Sequence, residues 1–109
     1  MAESEELDNG TPKLGVTVSA LSKEARKHYN LSDDEVGVLI VDVARNSPAA
    51  KHGLQRGDII ARIGQTEVNK PDQVASAVKR AAREEHRTVL LLIKRDGISR
   101  FVAVPLEQA

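Results

Sequence analysis

Short runs of β-branched and aliphatic residues recur along the chain and predict β-strands. Most of these runs are separated by a few residues, which favours antiparallel pairing because parallel strands need long crossover connections. Asp96-Gly97 separates the last two runs and is typical of a tight hairpin turn. The predicted strands cover residues 16–18, 36–43, 58–63, 88–94 and 101–104.

One segment has the periodicity of an amphipathic helix. Apolar positions within residues 71–83 follow the spacing i, i+3, i+4, i+7, which places them on one helical face. Pro71 suits the first helical turn, because an N–H at that position would have no partner within the helix and its absence costs no hydrogen bond. The periodicity leaves open whether the first two of these apolar residues face the core or the rim of a groove. The apolar positions are Val74, Ala77, Val78 and Ala81.

Two shorter helical segments are predicted from capping residues. A charged helix over residues 22–29 begins with Ser22 as its N-cap, and one helical turn over residues 47–51 begins with Ser47. Combined with the strands, these elements predict an α+β domain. Its architecture is a small antiparallel sheet or partly open barrel capped by two helices, with a third short helical turn.

The composition is that of one ordinary globular domain. Of the 109 residues, 40% are hydrophobic and 29% charged, and the formal net charge is zero. Only Tyr29 and Phe101 are aromatic, so no stacking platform for single-stranded nucleic acid is present. The longest apolar run, residues 89–93, is far shorter than a membrane helix requires. We expect neither a nucleic-acid partner nor direct membrane insertion.

Charge divides the chain into a tail and a folded part. Residues 1–12 hold four of the 16 acidic residues, whereas residues 13–109 hold all 16 basic ones and carry a net charge of +4. The acidic stretch lacks apolar periodicity and is interpreted as a flexible linker or tail, with masking of a basic site as the alternative. Residues 13–106 are the predicted domain, followed by a tail at 107–109.

The residues that catalysis or metal binding would require are not arranged for either. The chain has no cysteine, no serine stands in a Gly-x-Ser-x-Gly motif, and its three histidines are widely spaced. We therefore predict that this chain is not itself an enzyme and has no metal or cofactor. Arg56-Gly57-Asp58 is interpreted as a turn, in which the Asp58 carboxylate bonds to turn backbone.

One continuous segment closely resembles the most characteristic stretch of a PDZ domain. Residues 46–64 contain Ser-Pro-Ala-Ala, then Gly-Leu, then Gly-Asp-Ile-Ile, with a final Gly64. Leu14-Gly15-Val16 resembles the carboxylate-binding loop of that family, residues 69–82 resemble its groove helix, and residues 101–106 resemble the last strand of its circularly permuted bacterial type.

A finer resemblance is to the second PDZ domain of Do-like (HtrA/Deg) serine proteases. The insertion at residues 19–31 is similar to their helical insertion, and residues 93–106 are similar to the end of that domain. The resemblance implies a periplasmic parent protein that is a serine endopeptidase acting in protein quality control, of which this chain is a segment. A C-terminal processing protease or an intramembrane metalloprotease is less favoured because of the insertion.

The family resemblance implies that an extended peptide adds as a strand to a sheet edge, with its terminal carboxylate among backbone N–H groups. Pocket walls without charge predict an apolar last residue of the ligand. Pro71 stands where eukaryotic relatives have a hydroxyl-selecting histidine, so that preference should be absent. Lys13 and Lys79 would flank the groove. The predicted binding residues are Leu14, Gly15, Val16, Thr17, Val18, Ile63, Pro71, Ala75, Val78 and Lys79.

Two functions from different classes stay open at this point. In the first, the chain captures unfolded or C-terminal peptide segments for a protease. In the second, it is a structural module that contacts the protease domain and other PDZ domains of its parent, and the groove is not used for free peptide. A requirement for a free carboxylate distinguishes the first function, and concentration-dependent assembly distinguishes the second.

Overall fold

The computed structural model describes residues 4–6, 14–83 and 88–105, which form ten elements. The strands are β1 (Ser4–Glu6), β2 (Val16–Ser19), β3 (Val38–Val43), β4 (Ile59–Ile63), β5 (Thr66–Glu67), β6 (Thr88–Arg95) and β7 (Ile98–Pro105). The helices are α1 (Lys23–His28), α2 (Pro48–Lys51) and α3 (Pro71–Arg83).

All strand pairs in the described residues are antiparallel and join into one open sheet. The order across the sheet is β1-β2-β3-β4-β6-β7, and β5 pairs with β4 beside this path. The α+β antiparallel architecture predicted from the sequence is confirmed. Its edge strands are β1 and β7, and β2 would be the edge without β1.

The hairpin between β6 and β7 is tighter than the strand runs indicated. Asp96 and Gly97 both have positive φ, at 52° and 79°, which suits a two-residue turn that continues the twist of the strands. Pairing therefore begins at once, with Arg95 opposite Ile98, three residues before the predicted start of the last strand. Strand β5 was not predicted because two residues carry no periodicity.

The long helix α3 has the predicted bounds, and its apolar face covers the sheet. Val74 and Val78 are fully buried and Ala81 nearly so. Each buried aliphatic side chain of this size stabilises the fold by about 1.5–3 kcal/mol. The short helices α1 and α2 begin after their predicted caps, because Ser22 accepts from the Ala25 N–H and Ser47 from the Ala50 N–H. No residue of α1 is buried.

The core is aliphatic, as the scarcity of aromatic residues requires. It lies between α3 and the inner face of the sheet. An irregularity between Thr17 and Val18 in the pairing of β2 with β3 keeps Val18 opposite Ile40 and Val16 opposite Val43. The central buried residues are Leu14, Val16, Val18, Val38, Ile40, Leu54, Ile60, Ile63, Val74, Val78, Leu91, Ile93 and Val104.

One strand lies inside the segment predicted as a linker. Of residues 1–12, the structure describes Ser4–Glu6, and these form β1 beside β2. The sequence Ser-Glu-Glu has no β-branched or aromatic residue, so no strand was predicted there. The predicted C-terminal tail, residues 107–109, lies outside the described residues. Within those residues no helix is both long enough and apolar enough to cross a membrane.

Candidate functional site

The loop that leads into β2 has both of its carbonyl groups engaged by neighbouring elements. The Leu14 carbonyl accepts from the Ala49 N–H in α2 at 3.0 Å, and the Gly15 carbonyl accepts from the Ala44 N–H at 2.7 Å. Among the described residues, the N–H groups of Leu14 and Gly15 donate to no backbone carbonyl outside the strands. The loop is thus held in place through its two carbonyl groups.

Glycine is required at position 15 for two independent reasons. Its φ of +86° lies in the left-handed region, which residues with a Cβ adopt rarely. A Cβ at this position would also collide with Cβ and Oγ of Ser47. Ser47 is buried and cannot move aside, because its hydroxyl donates to the Ala44 carbonyl at 2.7 Å and accepts from the Ala50 N–H at 3.1 Å.

The walls beside this loop are apolar. Val16 and Val18 alternate onto the same face of β2 and are at most 3% exposed, as is Leu14 in the loop. Val78 of α3 joins these three residues in one hydrophobic cluster. Thr17 is half-buried and lies opposite Asp42 of β3. The structure therefore brings together the loop, the strand and the helix that the sequence predicted as a groove.

The remaining predicted helix residues follow one stripe along α3. Pro71 is buried at the start of the helix, Ala75 is half-buried against the core, and Lys79 is exposed two turns further on. Spacing of four residues keeps these positions near one line on the helix surface. The ammonium of Lys79 is therefore the charge on this stripe that solvent reaches. Lys13 lies outside the described residues.

Strand β1 lies beside the residues of β2 and α3 that were predicted to form the groove. It pairs with β2 through Ser4 opposite Ser19, Glu5 opposite Val18 and Glu6 opposite Thr17, and it also contacts α3. The outer edge of β2 is therefore paired with a segment of the same chain. Sequence reasoning missed this contact, and the one available signal was the acidic charge of the segment beside a basic domain.

Ile63 and Ala77 lie apart from the groove. Together with Ala81 and Leu90 they line a surface cavity of about 480 Å³, which is bounded by the turn before β5 and by β6. Ile63 belongs to the same core cluster as the groove walls, but it reaches the surface on the opposite flank of α3. The question left open by the periodicity is answered here, because Val74 is fully buried in the core and Ala77 faces the β4–β5 side.

The Arg56-Gly57-Asp58 turn is structural, as predicted, and it has a partner that the sequence did not reveal. The Asp58 carboxylate accepts from the Gln55 N–H at 3.0 Å. The same carboxylate also receives two hydrogen bonds of 2.7 Å from Arg95 of β6. The hydrogen bond to Asp58 raises the pKa of Arg95 above its ordinary value. Thirty-seven residues separate the pair, and no local pattern predicts such a contact.

The described residues contain no group of three histidine, aspartate or glutamate side chains close enough to hold a metal ion. They do contain other clefts. A polar cleft of about 630 Å³ lies between the end of α1, the turn at Gly57 and the β6–β7 hairpin. Neither Leu14 nor Gly15 lines it, and its most buried acid, Asp58, is already satisfied by hydrogen bonds.

Comparison with known proteins gives a family match over almost the whole chain. A family model described as PDZ domain matches residues 12–106. A probable periplasmic serine endoprotease DegP-like of Bartonella henselae is 33% identical over 89 residues, which cover 78% of this chain and 18% of that protein. The protein of the same description from Halomonas elongata is 34% identical over 101 residues, covering 93% and 20%. The chain thus spans about a fifth of the length of these relatives.

Solved structures give the same result for the fold. The HtrA-type protease AlgW with decapeptide superposes with a TM-score of 0.77 at 26% identity, covering 89% of this chain and 29% of that one. The HtrA3 PDZ domain bound to a phage-derived ligand (FGRWV) has a TM-score of 0.71 at 19% identity, covering 98% and 89%, and shows the fold alone. The periplasmic location in the relatives' names supports the location predicted for the parent protein.

Proposed function

The chain belongs to the PDZ domain family, and from this premise we propose that it binds peptides for a periplasmic serine endoprotease. The peptide adds as an antiparallel strand to the outer edge of β2 and lies between β2 and α3. The observation that carries this proposal is the left-handed Gly15, which stands between the buried Leu14 and Val16 with its carbonyl engaged by Ala44.

The terminal carboxylate of the peptide binds at the loop. Successive backbone N–H groups around a left-handed residue form a concave nest that attracts anions. The N–H groups of Leu14, Gly15 and Val16 are the donors we assign to it. The anchoring of the loop on α2 through Ala49 fixes these donors before the peptide arrives, which reduces the entropic cost of binding.

The last side chain of the peptide is apolar. We assign its pocket to Leu14, Val16, Val18 and Val78, with Ala75 beside them on α3. Ile63 belongs to the same core cluster but is not assigned to the pocket. Placing a charge among these buried aliphatic groups would leave it unpaired, which is strongly unfavourable.

Pro71 and Lys79 adjust the preference along the rest of the peptide. Pro71 offers no donor for a hydroxyl group, so no selection for serine or threonine is expected at its side. The exposed Lys79 attracts acidic peptide residues by a salt-sensitive interaction. Short peptides bind with a Kd of ~1–100 μM, equivalent to roughly 5.5–8 kcal/mol.

The names of the relatives support a proposal for the wider role. Their names describe serine endoproteases, and the structural neighbour AlgW holds a decapeptide. We propose that this module captures unfolded or C-terminal segments of client proteins and presents them for proteolysis in protein quality control. The proteolytic chemistry belongs to another part of the parent protein, and this chain supplies binding only.

An amide chemical-shift titration tests the proposal directly. The probe is the pentapeptide FGRWV, prepared once with a free carboxylate and once as the amide. We expect saturable shifts at residues 14–18 and along residues 71–79. The affinity for the amide should be at least tenfold weaker than the affinity for the free acid. Equal affinity for both forms would contradict the proposed binding of the carboxylate by the Gly15 loop. The absence of shifts at millimolar peptide would overturn peptide capture.

A second candidate function is supported by the outer face of the β6–β7 hairpin. Phe101 is 62% exposed and lies opposite Leu92, and Leu90 on the same face is 45% exposed. Such an apolar strip suits assembly with a second copy of this module in the protease oligomer. Sedimentation equilibrium tests it: the mass should rise with concentration, and Phe101→Ser should return it to 11.8 kDa. A concentration-independent monomer would exclude self-assembly by this chain.

A further inference from the structure

We propose that residues Ser4–Glu6 are an internal ligand of the groove, which an incoming peptide must displace. This inference rests on the proposed function of the groove and adds a competitor to it. The acidic segment would then set the minimum affinity that a client peptide needs in order to displace it and be captured.

The pairing geometry gives the competition. The edge of β2 accepts only one further strand, and that strand is β1 in this structure. Contact of β1 with α3 as well as β2 places it in the space that a strand-adding peptide requires. Because both ligands use the same backbone groups of β2, they cannot bind together.

The direction of β1 matches that of the proposed ligand. Ser4 lies opposite Ser19 and Glu6 lies opposite Thr17, so β1 runs toward the end of β2 that adjoins Gly15. A peptide whose carboxylate binds at the Gly15 loop must run the same way. Segment 4–6 therefore imitates the body of a ligand without supplying its end.

The missing end makes the internal ligand weak. Glu6 continues into the rest of the chain and has no terminal carboxylate, so the donors of the Gly15 loop gain no anion of that kind from β1. The sequence Ser-Glu-Glu also has low β-propensity and offers no apolar side chain for the pocket. A free C-terminus with an apolar last residue has both advantages.

Tethering compensates for the weakness. Residues 7–13 alone separate Glu6 from the loop, and a tether of this length gives an effective concentration in the millimolar range. Opposite charge also favours occupancy of the groove by β1. Glu5 and Glu6 are acidic, whereas residues 13–109 carry a net charge of +4 and the groove helix has the exposed Lys79. An occupancy of about nine-tenths would lower the apparent affinity of a peptide about tenfold.

The test compares Glu5→Pro with Glu5→Ala in the full chain. Proline removes a backbone N–H and disfavours strand pairing, whereas alanine keeps the backbone and removes the same charge. The probe is FGRWV with a free carboxylate, and its tryptophan reports binding because the chain has none. We expect Glu5→Pro to tighten binding about tenfold, and Glu5→Ala to change it less than threefold.

Equal affinity of the wild type and Glu5→Pro would overturn the internal ligand while leaving peptide capture intact. A readout without peptide separates the two proposals further. Removal of β1 should shift the amide resonances of Val16–Ser19 and accelerate their hydrogen exchange, with the signals of β6 and β7 unchanged as evidence of folding. If those resonances do not respond to Glu5→Pro, β1 does not occupy the groove, whatever the peptide does.

Discussion

Arg95 of β6 and Asp58 before β4 form a bidentate ion pair. Nε of the guanidinium is 2.7 Å from Oδ1 of Asp58, and Nη2 is 2.7 Å from Oδ2. The same guanidinium donates to the Gly53 carbonyl at 2.8 Å. The Asp58 side chain is only 2% exposed, so its charge depends on these partners. One arginine thus connects the end of the α2 turn, the turn before β4 and strand β6.

Loss of this arginine should destabilise the fold and spare peptide binding. Arg95→Ala leaves a buried carboxylate without its main partner, which we expect to lower the free energy of unfolding by about 3 kcal/mol. Lys94→Ala is the matched control, because Lys94 and Glu35 are 3.6 Å apart in a partly exposed pair whose loss costs less than about 1 kcal/mol. Urea unfolding measures both, and equal losses would contradict the role of Asp58 burial.

The pH dependence of this contribution has a definite sign. The pKa of Arg95 is raised in the folded state above its ordinary value, chiefly by its hydrogen bond to Asp58. A group with a raised folded pKa stabilises fully below its unfolded pKa, and the gain is lost only when the pH rises through the raised value. The difference in unfolding free energy between wild type and Arg95→Ala should therefore be constant from pH 7 to 10. Urea unfolding at each pH measures this difference, and a decline of the difference between pH 7 and 10 would contradict the prediction.

Much of the fold follows from local patterns in the sequence. The apolar spacing over residues 71–83 predicts α3 with its observed bounds. Ser22 and Ser47 are the N-caps of α1 and α2, as predicted. These features depend on residues within one or two turns of each other. The pairing of β1 with β2 could not be predicted in this way, because Ser-Glu-Glu has no β-branched or aromatic residue to indicate a strand.

The candidate site was predicted from a family resemblance, and the sequence says less about the surroundings of its residues. Gly15 was predicted because Leu14-Gly15-Val16 resembles the carboxylate-binding loop of PDZ domains, and the structure adds the collision with Ser47 that an added Cβ would meet. Ile63 is apolar like the residues assigned to the pocket. The amino-acid sequence therefore does not reveal that Ile63 reaches the surface on the other flank of α3. Only the path of the chain separates the two flanks.

Substitution of Gly15 should damage both stability and binding. Gly15→Ala forces a residue with a Cβ into a φ of +86° and drives that Cβ into Ser47, so the loop must move away from α2. We expect a loss of more than about 2 kcal/mol and the loss of discrimination between FGRWV with a free carboxylate and its amide. Chemical denaturation and peptide titration measure the two effects.

Gly97 provides the control for Gly15, because its φ is +79° but nothing lies within 4 Å of an added Cβ. Gly97→Ala should cost only the conformational strain of about 1 kcal/mol and leave peptide binding unchanged. If both alanine variants lose the same stability and both still distinguish acid from amide, the contact with Ser47 does not hold the loop.

Enlarging the pocket should change which peptides bind. Val78 and Val74 are both fully buried on α3, one turn apart, but only Val78 is assigned to the pocket. Val78→Ala removes two methyl groups and should move the preference for the last peptide residue from valine toward leucine or phenylalanine by about threefold or more. Val74→Ala removes the same volume from the core, so both variants should lose ~2 kcal/mol of stability, whereas only Val78→Ala alters specificity. Titration with FGRWV, FGRWL and FGRWF decides the point, since a parallel change in both variants would place the pocket elsewhere.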